Sequence, residues 1–263
     1  MTNVVFTEPE DFVQSMRIDT IDDPLTQVTH ALCGGAVWQG EGKVKYLNCP
    51  FAFDIETTST YMRDVPEEER TPEDKVAFMY IWQFGYFAPK SYNIITGRTW
   101  EEFLYLMGRI RNALNLDNEH RIIVYVHNLA FEFGFMQKLF PWNNVFFAEM
   151  RKPIYALTDG IEFRCSQKLA GGRSLDTVGK ELTRPVYKMT GDLDYSKVRG
   201  PETPLNNEEF TYCIQDVAVL LEYIYEKIVQ DGGISKIPLT NTGYVRRHLR
   251  EVCFPVEQVQ GGN

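Results

Sequence analysis

The sequence predicts an α/β fold, a mixed β-sheet flanked by helices, and three stretches carry that expectation. Phe51-Ala-Phe-Asp-Ile-Glu-Thr-Thr-Ser59 alternates apolar with polar side chains, the period of a strand. Arg121-Ile-Ile-Val-Tyr-Val126 is a β-branched run that leads straight into His127-Asn-Leu-Ala-Phe-Glu-Phe-Gly-Phe-Met136, a strand-to-helix junction. The segment from Asn207 to Gln230 is the longest predicted helix and stops at Asp231-Gly-Gly233. With 263 residues and 44% hydrophobic content, the chain can close one sizeable core.

Residues 1–48 read as an N-terminal extension with turn-rich punctuation at Cys33-Gly-Gly-Ala and Gln39-Gly-Glu-Gly and one short strand. The main domain is expected over 49–233. After its first strand, the charged and proline-bearing Arg63 to Lys75 reads as a surface loop. Phe78 to Tyr86 and Tyr92 to Ile95 are β-prone and pair with the first strand as a meander. Thr99-Trp-Glu-Glu102 has the form of a capping box, and Phe103, Leu106, Met107, Ile110 and Leu114 follow it at helical spacing. Val145 to Met150, Ile154 to Thr158 and Ile161 to Ser166 are strands, the last two joined by Asp159-Gly160, a hairpin signal. Ser174 caps a short helix to Leu182, and a polar loop runs from Gly191 to Asn207. Leu239 to Val252 reads as a final helix with a basic side, within a C-terminal segment over 234–263.

A net charge of −9 gives no global basic field to gather nucleic acid, so any contact with it is local. Carboxylates that hold metal ions would themselves contribute such acidity. Five scattered cysteines (Cys33, Cys49, Cys165, Cys213 and Cys253) form no C-x-x-C pair, which fits a reducing cytoplasm. The N-terminus lacks a secretory pattern and no run of about 18 apolar residues occurs, so no membrane partner is expected.

The chemistry gathers from three dispersed pieces. Asp54 and Glu56 share one strand face opposite Phe51, Phe53 and Ile55. Neighbouring carboxylates repel and gain protons unless a hard cation neutralises them, so the pair is a chelating candidate; alone, it is usually only a solvated face. Glu132 lies in the first turn after the strand-to-helix junction, where sites of open α/β sheets collect. Tyr212 and Asp216 are four apart on the long helix and share its face. Four carboxylates from separate elements and one tyrosine are what two-metal phosphodiester hydrolysis requires, which implies two Mg2+ or Mn2+ ions.

These motifs resemble those of the DEDDy 3′-to-5′ exonuclease domain of family B DNA polymerases, especially the protein-primed phage branch. The resemblance spans roughly Phe51 to Val229, through Phe53-Asp-Ile-Glu-Thr-Thr, His127-Asn-Leu-Ala-Phe-Glu and Tyr212-Cys-Ile-Gln-Asp216. Ser174-Leu-Asp-Thr-Val178 and Gly191-Asp-Leu-Asp-Tyr195 are similar to two further motifs of the protein-primed branch. The resemblance implies an RNase H-like fold and release of nucleotides from the 3′ end of single-stranded DNA. It implies Asp54, Glu56, Glu132 and Asp216 as metal ligands, with Asp54 touching both ions, and Tyr212 as the residue that positions water. It makes Thr57, Asn128, Phe131, Ser174, Leu175 and Tyr195 the grip on the unpaired end, with Lys188 as a phosphate contact. For Ser174 the residue pattern alone leaves a helix cap as an equal reading. Two departures stand out: the second motif usually carries Asp where this chain has Glu132, and the family's lysine directly before the Gly-Asp pair is replaced by Thr190.

After residue 230 there is no stretch resembling the polymerase motifs. The resemblance therefore implies a proofreading lobe, with 234–263 as the last helix and the start of a linker to an absent polymerase domain, or a split-gene product. A polymerase domain or terminal protein is the implied partner, and the host cytoplasm the implied location for a phage protein. Two other readings stay open: a free-standing DEDD-type exonuclease acting on DNA or RNA, and a non-catalytic module that binds single-stranded DNA or terminal protein.

Overall fold

A computed structural model describes residues 2–5, 12–17, 37–62, 64–88, 91–184, 186 and 197–253. Its strands are β1 (Thr2–Val5), β2 (Phe12–Arg17), β3 (Trp38–Gln39), β4 (Lys45–Leu47), β5 (Phe51–Tyr61), β6 (Lys75–Ala88), β7 (Ser91–Gly97), β8 (His120–Val126), β9 (Asn144–Glu149), β10 (Lys152–Thr158) and β11 (Ile161–Cys165). Its helices are α1 (Trp100–Leu114), α2 (Leu129–Met136), α3 (Ser166–Leu169), α4 (Leu175–Glu181), α5 (Asn207–Asp231) and α6 (Asn241–Cys253). Among the described residues no helix is long and apolar enough to cross a membrane.

The sheet order is β1-β2-β7-β6-β5-β8-β11-β10-β9, with β3 and β4 joined at the start of β8. The expected meander is present: β6 pairs antiparallel with both β5 and β7. Beyond it the sheet turns parallel, β5 to β8 and β8 to β11, before β10 and β9 return antiparallel. Asp159 and Gly160 join β10 to β11 with both residues at positive φ, 45° and 82°, as the twist of a tight hairpin demands.

One expectation is corrected. Residues 1–48 contain four described strands rather than one, and β2 adds parallel to β7 through Val13↔Tyr92 to Arg17↔Thr96. Sheet pairing across about eighty residues supplies the order that local composition does not.

Helices cover both faces. Thr99 caps α1 through the expected box: its side chain accepts from Glu102 N–H while the Glu102 carboxylate accepts from Thr99 N–H. The apolar side of α1 (Phe103, Leu106, Met107, Ile110) joins Leu129 and Met136 of α2 against Phe51, Phe53, Trp82, Phe84 and Phe163. On the opposite face Ile214, Val217, Ala218 and Leu221 of α5 pack with Leu175 and Val178 of α4 against Ala52, Ile94, Ile123 and Tyr125. Gly85 sets how closely α5 approaches, because a Cβ there would lie 2.4 Å from Val217 Cγ1 and 2.8 Å from Leu221 Cδ1.

Candidate active site

The parallel registers bring the carboxyl ends of β5, β8 and β11 together. Ala52 lies beside Tyr125, and Val126 beside Cys165, so Asp54 stands at the edge where β8 ends and its chain turns. That turn is made by Asn128 in the left-handed region, φ 71° and ψ 55°, which lets α2 start at once and fold back over the strand ends. Glu132, in the first turn of α2, is thereby carried inward to 3% exposure and hydrogen-bonds the Asp54 carboxyl. Burial first, and then the charge of Asp54, hold its carboxyl well above the ordinary carboxylate range. Its second oxygen, Oε2, is buried with no hydrogen-bond partner among the described residues.

Glu56 follows on the same strand, beside a bulge. The β5–β6 register runs Glu56↔Ile81 and then Thr57↔Met79, which leaves Tyr80 as the extra residue. A bulge increases the local twist and re-aims the adjacent side chains, here Glu56 and Thr57.

From the other side, α5 brings Tyr212 and Asp216 over β5. The Cys213 thiol, fully buried between them in sequence, is the probe of this arrangement. Its pKa is raised well above the usual thiol value by burial first and then by Glu56, Asp54 and Asp216, with Arg98 opposing. Three carboxylates from two elements thus lie close enough to act on one thiol. Tyr212 is half-buried on the same helix, about one turn from Asp216.

Two guanidinium groups frame the acidic edge. Arg98 donates to the carbonyls of Tyr80 (2.6 Å), Gly200 (2.8 Å) and Thr203 (2.9 Å), tying the segment before α5 to the bulge. Arg199, 2% exposed, pairs with Glu209 at 2.6 Å and lies over the Tyr80 ring. Neither arginine stands out in the sequence, since each follows or precedes an ordinary turn.

The remaining sequence candidates are placed as follows. Phe131 is 44% exposed on α2 and meets Phe135 edge-on at 5.3 Å, so it offers a ring face to solvent. Asn128 is exposed and makes no side-chain cap. Ser174 does cap α4, accepting from Thr177 N–H, while Leu175 is buried under α5. Tyr195 and Lys188, with Thr190, lie outside the described residues. Sequence reasoning missed His127 and Ser166, whose Nδ1 and Oγ stand 3.0 Å apart at the ends of the parallel neighbours β8 and β11. Only knowledge of that pairing would have joined them.

Asp54, Glu56, Glu132 and Asp216 offer oxygen donors of the kind Mg2+ and Mn2+ take, and the unpartnered Glu132 Oε2 is an orphan that a cation would satisfy. The donor set fits. Among the described residues, however, no group of three or more His, Cys, Asp or Glu side chains is already gathered as a metal centre. Glu132 pairs with Asp54, while Asp54, Glu56 and Asp216 all act on the Cys213 thiol.

No family model matches the chain, and no curated protein matches it. Solved structures do match. The chain shares the fold of part of phi29 DNA polymerase. A ternary complex of that polymerase with primer-template DNA and incoming nucleotides aligns at TM-score 0.56 and 16% identity, over 79% of this chain and 35% of that one. Its complex with single-stranded DNA aligns at TM-score 0.55 and 15% identity, over the same shares. The EXO domain of Nibbler from Aedes aegypti aligns more loosely, at TM-score 0.45 and 14% identity, over 90% and 94% of the two chains. The chain spans about a third of the phi29 polymerase chains it matches, and at these identities the likeness is one of fold: the RNase H-like mixed sheet flanked by helices.

Proposed function

We propose that this chain is a metal-dependent 3′-to-5′ exonuclease that removes nucleotides from the end of single-stranded DNA. The observation that carries the reading is Glu132, buried in the first turn of α2 and hydrogen-bonded to Asp54 at the carboxyl ends of the parallel strands, with Glu56 and Asp216 close enough to act on the same Cys213 thiol as Asp54. A carboxyl perturbed by burial and by a neighbouring charge at such an edge is a functional-site candidate. Asp54, Glu56, Glu132 and Asp216 would hold two Mg2+ or Mn2+ ions, which when bound supply the charge that activates water and offsets the departing oxygen.

The rest of the work falls to the chain's own side chains. Tyr212 directs its hydroxyl at the attacking water, a positioning role. The exposed ring of Phe131 stacks on a terminal base, and Asn128, fixed in its left-handed turn beside it, hydrogen-bonds sugar or phosphate. Thr57 at the bulge and Ser174 at the mouth of α4 complete the grip, Ser174 while serving as a cap. Glu132 in place of the shorter aspartate reaches one methylene further from α2, which suits a helix that begins immediately after its strand. The phi29 match supports reading the chain as the proofreading lobe of a protein-primed polymerase, working beside a polymerase domain or a terminal protein.

A 5′-labelled single strand incubated with Mg2+ or Mn2+ should shorten one nucleotide at a time, and Asp54→Ala with Glu56→Ala should abolish the ladder. Undiminished degradation by the double variant would refute the ligand assignment. Binding without release of mononucleotides by the wild type would leave only a binding module.

A further inference from the structure

We infer that Gln83 is a positioning residue for Asp54, donating its amide N–H to the carboxylate once the metal site is filled; this rests on the reading of Asp54 as a metal ligand. Gln83 is 0% exposed, and neither Nε2 nor Oε1 has a hydrogen-bond partner among the described residues. It is not a misplaced surface residue. In the β5–β6 ladder it lies directly across from Asp54, and residues so paired share a face with their Cβ atoms about 4.5–5.5 Å apart.

The face is fixed independently. Gly85, two residues along β6, meets Val217 and Leu221 of α5, so Gln83 also points under α5, where Asp216 is carried. Its neighbours at i−2 and i+2 on that face are Ile81 and Gly85, which makes Gln83 the one polar group in that row. Thr96 of β7 flanks it on the far side. A buried amide without partners opposes folding, and a leucine or methionine would fill the same space. Its chemistry matches what Asp54 lacks when ionised, because a carboxylate is acceptor-only and the amide nitrogen is a donor. A ligand carboxylate held from behind keeps its outer oxygens aimed at the ion, and such supporting bonds commonly change metal affinity 10- to 100-fold.

The experiment titrates Mn2+ into the DNA-free chain, following free Mn2+ by electron paramagnetic resonance, for wild type, Gln83→Met and Asp54→Ala, with thermal unfolding measured in chelator. Gln83→Met should bind Mn2+ about 10- to 100-fold more weakly, yet unfold about 2–4 °C higher because an unsatisfied buried amide is gone. A purely structural glutamine moves stability alone, so Mn2+ binding equal to wild type in Gln83→Met overturns the inference. Gln83→Leu decides the matter in the same way if the methionine variant does not fold. Asp54→Ala separates the two claims: if it loses Mn2+ while Gln83→Met does not, only the role of Gln83 falls. If Asp54→Ala binds like wild type, the ligand assignment falls and the inference with it.

Discussion

Glu132→Gln should make the metal-free protein more stable at neutral pH while removing most of its activity. Glu132 is buried against Asp54 and its carboxyl is held well above the ordinary carboxylate range, so the folded chain keeps a proton there that the unfolded chain, titrating near the ordinary 4.5, gives up. The stabilising contribution of that proton is complete below about 4.5 and is lost as pH rises through the raised folded value. Between those limits the wild type loses up to about 1.4 kcal/mol per pH unit from this group. Glutamine has the same shape, cannot ionise and can donate to Asp54, so the variant lacks this slope.

At pH 4.5 the two proteins should therefore unfold nearly alike, and the variant's lead should grow with pH at up to about 1.4 kcal/mol per unit until the folded group ionises. For a chain of this size each kcal/mol is about 2–4 °C in Tm. Circular-dichroism melts in chelator across pH 4.5 to 8.5 read the difference directly, and comparison with the variant cancels every other titrating group. Parallel curves for the two proteins would show that Glu132 does not carry the proton and would sink the proposed coupling. Activity should move the opposite way: Glu132→Gln and Glu132→Ala lose most of it, and Glu132→Asp keeps a measurable fraction.

Two further outcomes test the geometry. Tyr212→Phe should fold, bind metal and single-stranded DNA nearly as wild type and hydrolyse about 10- to 1,000-fold more slowly, whereas Asp216→Ala should be slower still with a weakened metal titration; single-turnover rates at saturating metal that leave Tyr212→Phe unchanged would make Tyr212 a packing residue. Gly85→Ala should destabilise by about 1–3 kcal/mol, because its Cβ would sit 2.4 Å from Val217 Cγ1, and should lower activity at temperatures where the protein is fully folded, by lifting α5 from the sheet; urea unfolding and rates measured together check it, and a folded variant with full activity would break the link between that approach and the site.

What could be read from the sequence was what neighbours along the chain decide. The alternation in Phe51 to Ile55, the Thr99 box, the Asp159-Gly160 turn and the cap at Ser174 each depend on residues within one turn or one strand, and each is where it was expected. The parallel pairing of β5 with β8 and the attachment of β2 to β7 depend on contacts across more than 70 residues, and the pairing of β8 with β11 and the meeting of His127 with Ser166 on contacts across 39. The bulge beside Glu56 was hidden for the same reason, since a bulge exists only relative to the partner strand. Gln83, read as one more residue of a β-prone run, gave no hint of being buried.

The same division explains why the acidic candidates could be singled out from the sequence while the residues that place them could not. A carboxylate in a strand or on a helix is conspicuous because burial of a charge needs a reason, so Asp54, Glu56, Glu132 and Asp216 could be singled out one by one. What brings them together carries no charge: a left-handed asparagine that starts α2 immediately after β8, an extra residue at Tyr80 that twists Glu56, and a glycine that admits α5. Removing any of these leaves every proposed ligand in the chain and still separates them. The catalytic reading is therefore exposed to substitutions at Asn128 and Gly85 as much as at the carboxylates, and a chain with all four acids intact but a changed turn at Asn128 should fail to couple Glu132 to Asp54.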